Sequence, residues 1–242
     1  MRFCPGGTVL FAFPPAGAGP SLFRPWLPHI PVGVELVALL APGRESRLHE
    51  PPLQHVRPLA DAVAQAVRAY TDRPFAVFGH SMGALLATEV AGRLAAEPLE
   101  LLVVAGSRPP HQPVDDLTTA TDAEIVRALA TWGGTPEEVL GDPDVLSVFL
   151  PGLRADFAVG ESCRRPLSAD AALDVPILSF VGTDDPLATP GDCAEWGRWS
   201  RASFEQRVVE GNHFFPFTRP SAVLSWIGTR LAGGPGEREP AQ

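Results

Sequence analysis

Phe75-Ala-Val-Phe-Gly-His-Ser-Met-Gly-Ala-Leu-Leu86 is the stretch that decides the fold. Phe75–Phe78 is a continuous apolar run of strand length, and from Ser81 a helical pattern runs on through Leu85, Val90 and Leu94 to Ala96. Between the two, Gly79-His-Ser-Met-Gly83 fits G-x-S-x-G in the setting that gives this pattern meaning: strand, sharp turn, helix. Such a turn forces the serine into a strained backbone conformation and lifts its hydroxyl clear of the sheet. The flanking glycines let strand and helix pass closely. With both neighbours in place, Ser81 as an exposed nucleophile outweighs Ser81 as a mere helix cap.

Similar units repeat along the chain. Thr8–Phe13, Glu35–Leu40, Pro74–Phe78, Leu99–Ala105, Pro176–Val181 and Phe204–Val209 are short runs rich in β-branched or aromatic residues. Several are apolar throughout, as in parallel strands covered on both faces. Helical spacing lies between them, as in Pro58–Tyr70, where Leu59, Val63, Val67 and Tyr70 share a face and Pro58 suits a first helical position. Alternating β and α units predict an α/β fold with an open, mostly parallel sheet and helices on both faces. One interval breaks the pattern. From about 113 to 166 no strand is evident, but Thr121-Asp-Ala-Glu124 reads as a capping box and Thr135-Pro-Glu-Glu138 repeats the device. A helical lid over one edge of the sheet is expected there, within a single domain of residues 1–231. The tail 232–242, rich in Gly, Pro and charge, reads as disordered.

Composition narrows the function. The 242 residues carry a net charge of −9, and all 19 basic residues are arginine, without a basic block. That argues against wrapping nucleic acid or docking on anionic lipid. No run approaches the ~20 apolar residues of a membrane span, and Thr8–Phe13 is broken too early by Pro14-Pro15 to serve as a secretory signal. Cys4, Cys163 and Cys193 form no CxxC or Cys/His cluster. They read as reduced thiols of a cytoplasmic protein, with neither a disulfide framework nor a structural metal.

A serine needs a base, and the base needs an acid partner, expected downstream at later strand ends in the order Ser…Asp…His. Gly182-Thr-Asp-Asp-Pro186 follows the fifth run and Gly211-Asn-His-Phe-Phe215 the sixth. Of the six histidines only His213 has this placement. His29, His49, His55 and His111 sit in Pro-rich loops or helix starts, and the His80 ring is expected to point away from the site and support the turn. Of Asp184 and Asp185, the second is favoured, because a residue before proline is pushed towards extended geometry and can turn towards the histidine loop. The oxyanion of acyl transfer needs backbone donors. Met82 N–H is one candidate. In Phe13-Pro-Pro-Ala-Gly-Ala-Gly19, which lacks the Lys and Ser/Thr of a phosphate-binding loop, Ala16 offers the first N–H after two prolines.

Seven ordered motifs now carry a resemblance. They are Phe13-Pro-Pro-Ala-Gly17, Pro42-Gly-Arg-Glu45, Gly79-His-Ser-Met-Gly83, Ala105-Gly-Ser-Arg-Pro-Pro-His111, Leu150-Pro-Gly-Leu-Arg-Ala-Asp156, Gly182-Thr-Asp-Asp-Pro186 and Gly211-Asn-His-Phe-Phe215. Over about residues 8–231 the chain resembles the stand-alone type II thioesterases of polyketide and non-ribosomal peptide assembly lines. The resemblance implies an α/β-hydrolase with a helical lid that hydrolyses misprimed or stalled acyl groups from the phosphopantetheine arm of acyl or peptidyl carrier proteins. By motif position Ser81 matches the nucleophile, Asp185 the acid, His213 the base, and Ala16 with Met82 the oxyanion donors. Pro15 departs from the family, which commonly has an aromatic residue or histidine there. No metal and no cofactor is implied, and a monomer is preferred.

Other readings stay open. A serine carboxylesterase would share Ser81 and His213, but no HGGG-type loop is present. A binding module on the same scaffold would need a broken triad, and a chain-terminating domain would not be expected to start at Met1. For the carrier, Arg154, Arg164 and Arg165 form the densest basic cluster near the expected channel mouth, while acids such as Asp115, Asp122 and Glu137 crowd the lid. These arginines are expected either to bind the carrier or its pantetheine phosphate, or to serve as solvated surface and structural ion pairs.

Overall fold

A computed structural model describes residues 7–233. Six strands, β1 (Thr8–Phe13), β2 (Val34–Ala38), β3 (Phe75–His80), β4 (Leu99–Ala105), β5 (Ile177–Gly182) and β6 (Phe204–Val209), form one sheet in the order β2-β1-β3-β4-β5-β6. All five pairings are parallel. The runs read from the sequence supply all six strands, with ends displaced by two residues or fewer. The direction of winding reverses between β1 and β3, so the loops leaving these neighbours diverge and leave a crevice at the carboxyl edge.

Alternating side chains of each strand feed two separate cores. Val9, Phe11, Phe13, Phe75 and Val77 pack under α1 (Val56–Arg68) and α2 (Met82–Arg93). Leu10, Ala12, Ala76 and Phe78 pack on the opposite face, with Phe23, Trp26 and the C-terminal helix α8 (Pro220–Ala232). Strands buried on both faces are apolar throughout because neither face meets water.

The interval between β4 and β5 holds α3 (Asp122–Trp132), α4 (Glu137–Leu140) and α5 (Pro143–Ser162). Ile125, Leu129, Leu150 and Leu153 form a third core there, joined by Ala16 from the loop after β1. Two expected helix starts shift. The Thr121–Glu124 capping box forms, but Thr135 does not cap α4: the residue before it is Pro136, with no side-chain cap. Instead Asp142 caps α5, accepting from the N–H groups of Asp144 and Val145. Likewise α1 starts at Val56, ahead of Pro58, because His55 Nδ1 accepts from Arg57 N–H and caps an earlier turn. Two short α-helices, α6 (Pro190–Ala194) and α7 (Phe215–Thr218), and four 3₁₀ segments (Pro20–His29, Glu45–Arg47, Ala169–Ala171 and Glu195–Trp199) complete the described elements. Ala232 still belongs to α8, and residues 234–242 of the expected disordered tail lie outside the described residues, as does Cys4. Among the described residues no helix is long and apolar enough to cross a membrane.

Candidate active site

Ser81 occupies the turn between β3 and α2 with φ 56° and ψ −122°, a conformation few non-glycine residues adopt. Its neighbours explain how the turn closes. A Cβ on Gly79 would strike the Gly83 backbone, and one on Gly83 would strike the carbonyls of Phe13 and Pro14. The second glycine therefore brings the helix start carrying Met82 against the loop after β1 that carries Ala16. Strain of this kind costs about 1–3 kcal/mol and persists only where the surroundings over-determine it. Here the Ser81 N–H is held by Ala105 O at 2.8 Å and its carbonyl accepts from Ala84 N–H at 3.0 Å.

His213 and Asp185 meet at the same carboxyl edge. The imidazole Nδ1 lies 3.0 Å from both carboxylate oxygens of Asp185. A carboxylate accepts only, so Nδ1 donates, and in the neutral imidazole this tautomer leaves the lone pair on Nε2. Asp185 Oδ1 is further held by Leu187 N–H at 2.9 Å, and both side chains are buried. Asp184 instead is exposed and accepts from the Thr183 hydroxyl at 2.7 Å. Gly106, at φ +55°, makes room: a Cβ there would lie 3.1 Å from Asp185 Oδ2 and 2.8 Å from the His80 ring.

The His80 ring does not point away. It lies against His213 with centroids 4.7 Å apart, because the last residue of β3 faces the side on which the histidine loop and the aromatic rings of Phe214, Phe215 and Phe217 pack. Its Nδ1 donates to Ala105 O at 3.0 Å. Burial, and then the neighbouring His213, hold His80 well below the ordinary histidine value, with the bond to Ala105 opposing them. The folded state therefore prefers the neutral ring. Stability from this source is complete above about pH 6.5 and falls by about 1.4 kcal/mol per pH unit below it. In denaturant titrations between pH 7.5 and 5, His80→Phe is expected to flatten the acid-side loss of stability relative to wild type. Equal slopes would show that His80 protonates as readily folded as unfolded.

A cavity of about 500 Å³ joins these groups. Its lining includes Ser81, His213, Ala16 and Met82 at one end and Leu129, Trp132, Phe149, Leu153 and Phe157 from the helical insertion. Charged side chains of Arg108, Asp115, Asp116, Asp156, Glu161 and Arg164 line it as well, so the cavity combines the apolar wall of the insertion, which suits an acyl chain, with charged groups that suit a polar portion of the substrate. The insertion packs directly on the histidine loop, since a Cβ on Gly134 would collide with the Phe214 ring.

The three arginines singled out from the sequence part company. Arg154 donates to Ala120 O at 2.7 Å and to Asp122 at 2.5 Å, tying α5 to the start of α3. Arg165 pairs with Glu89 and lies 5.1 Å over the Trp199 ring. Both therefore hold ion pairs, the second of the two roles expected for them. Arg164 lines the cavity, its Nη1 on the carbonyls of Pro109 and Gln112 at 3.2 and 3.3 Å. Arg108, which the sequence reading passed over, lines it too. Cys163 and Cys193 are free and buried, and burial pushes both thiols up to about 12. Among the described residues no three His, Cys, Asp or Glu side chains are arranged to hold a metal ion.

A family model described as a thioesterase domain matches residues 8–231. The chain belongs to the thioesterase family. This thioesterase is 34% identical over 228 residues to the gramicidin S biosynthesis protein GrsT of Aneurinibacillus migulanus, covering 92% of this chain and 88% of that one. Among solved structures it is similar to YbtT, a type II thioesterase from the yersiniabactin NRPS/PKS biosynthetic pathway, with a TM-score of 0.88, 29% identity and 96% of each chain covered. It is also similar to RedJ, a thioesterase from the prodiginine biosynthetic pathway in Streptomyces coelicolor, with a TM-score of 0.83, 35% identity and coverage of 92% and 90%. The fold is accordingly that of an α/β-hydrolase, and the protein is a thioester hydrolase.

Proposed function

We propose that this thioesterase serves a polyketide or non-ribosomal peptide pathway as a type II, editing enzyme, clearing stalled acyl groups from the phosphopantetheine arm of a carrier protein. The observation that carries the mechanism is the His213 imidazole, 3.0 Å from both oxygens of a buried Asp185 and lining the same cavity as the strained Ser81. In this reading His213 Nε2 takes the Ser81 proton as Oγ attacks the thioester carbon. The tetrahedral oxyanion is met by the N–H groups of Ala16 and Met82, the C–S bond breaks, and the imidazolium returns the proton to the departing thiolate. Water then repeats the sequence on the acyl-enzyme and releases the free acid. A thioester is already activated, so the reading asks for no metal and no cofactor. The names of the relatives support the pathway class, and the apolar side chains that the insertion sets into the cavity support an acyl group there.

The test is to incubate the protein with a panel of acyl-loaded carrier proteins and follow the acyl group by intact mass. The expected result is loss of the acyl mass with the phosphopantetheine arm retained. Hydrolysis of free esters with no action on any loaded carrier would favour the carboxylesterase reading instead.

A further inference from the structure

Two of the quoted motifs, Pro42-Gly-Arg-Glu45 and Leu150-Pro-Gly-Leu-Arg-Ala-Asp156, have no part in the mechanism above, yet they meet beside it. Asp156, buried on α5, accepts from the Gly17 N–H at 2.7 Å. Its partner is Arg44, equally buried, which forms an ion pair with the same carboxylate oxygen and donates to Gly43 O at 2.8 Å and Gly152 O at 2.5 Å. The pieces interlock tightly: a Cβ on Gly152 would strike the Arg44 guanidinium, and one on Gly17 would strike the Phe149 ring. On the far side of the loop Glu45, held at φ 44°, accepts from Ser21 N–H at 2.9 Å.

What these contacts grip is the loop carrying Ala16. Ala18 N–H donates to Pro15 O at 3.2 Å and Gly17 has φ +78°, the signature of a type II turn with Ala16 and Gly17 at its centre. The Ala16 N–H belongs to the preceding peptide, one Cα away from the Gly17 N–H that Asp156 holds, so the carboxylate acts on it through the position of the turn that the two residues share. Burying a charge pair for this is costly, and Arg44 Nε, buried without a hydrogen-bond partner, adds to that cost.

We propose that Asp156, held by Arg44, is a positioning residue for the oxyanion loop, so that the Ala16 N–H is aimed at the reaction centre only while the lid helix α5 is seated. The proposal rests on reading Ala16 as an oxyanion donor. It makes the lid part of the catalytic geometry rather than only a cover.

The experiment uses a soluble acyl-thioester and an acyl trifluoromethyl ketone, whose serine adduct carries an oxyanion. For Asp156→Ala, kcat is expected to fall about tenfold to a hundredfold, less than the 10²–10³ for a donor removed outright, with KM changed by less than about threefold. The inhibition constant of the ketone should rise by the factor by which kcat falls. Asp156→Asn, which keeps an acceptor for Gly17 N–H and guards against a misfolded alanine variant, should lose less. As a control, Asp142→Ala removes the α5 cap without touching the loop, and is expected to lower Tm while leaving kcat within twofold. Unchanged kcat in both Asp156 variants, or a fall in kcat with no change in ketone affinity, would overturn the proposal. So would an equal loss of kcat in Asp142→Ala. A ketone that fails to inhibit wild type, or inhibits Ser81→Ala equally well, would overturn the acyl-enzyme reading itself along with this one.

Discussion

Ser81→Ala is expected to lower kcat on an acyl-thioester by on the order of 10⁶, the scale of loss when a serine hydrolase is left with only its oxyanion donors and binding. The fold should survive. Ser81 makes no side-chain capping bond to α2, and alanine at φ 56° bears the same backbone strain that serine already bears. Stability in denaturant titration should therefore stay within about 0.5 kcal/mol of wild type. Measured together, the two readouts separate a lost nucleophile from a lost structure. Turnover within tenfold of wild type would end the covalent mechanism.

The second large effect separates two adjacent carboxylates. Asp185→Asn is expected to lower kcat/KM by on the order of 10⁴, because an amide in place of the carboxylate leaves His213 in the wrong tautomer. Asp184→Asn should cost less than about threefold, since Asp184 faces solvent and its hydrogen bond goes to Thr183. Both are measured on the same soluble thioester, so carrier recognition does not enter. The reverse ranking would transfer the acid's role to Asp184.

These two expectations draw unequally on sequence and structure. The Ser81 turn is local: strand, turn and helix follow one another, and two glycines and a serine at fixed spacing suffice to announce it. The Asp185–His213 contact joins loops after β5 and β6, and the rule that catalytic groups gather at the carboxyl ends of parallel strands made both loops legible. Proline after Asp185 pointed to the carboxylate of the pair that lies 3.0 Å from His213 Nδ1. The arginines were harder, because charge in a sequence does not say where its counter-charge will lie. Arg154 finds Asp122 across 32 positions and Arg165 finds Glu89 across 76.

By itself, then, the sequence determined the alternation of strand and helix, the six strands, the helical interval after β4 and the placing of Ser81, Asp185 and His213 at strand ends. Those follow from periodicity, turn chemistry and spacing, which act over a few residues. Only the tertiary structure decided that the His80 ring packs against His213, that Arg154 and Arg165 are paired, and that Asp156 reaches across 139 positions to Gly17. Those depend on which side chains packing brings together. A buried charge takes whichever partner the fold sets beside it, and the linear chain does not record that choice.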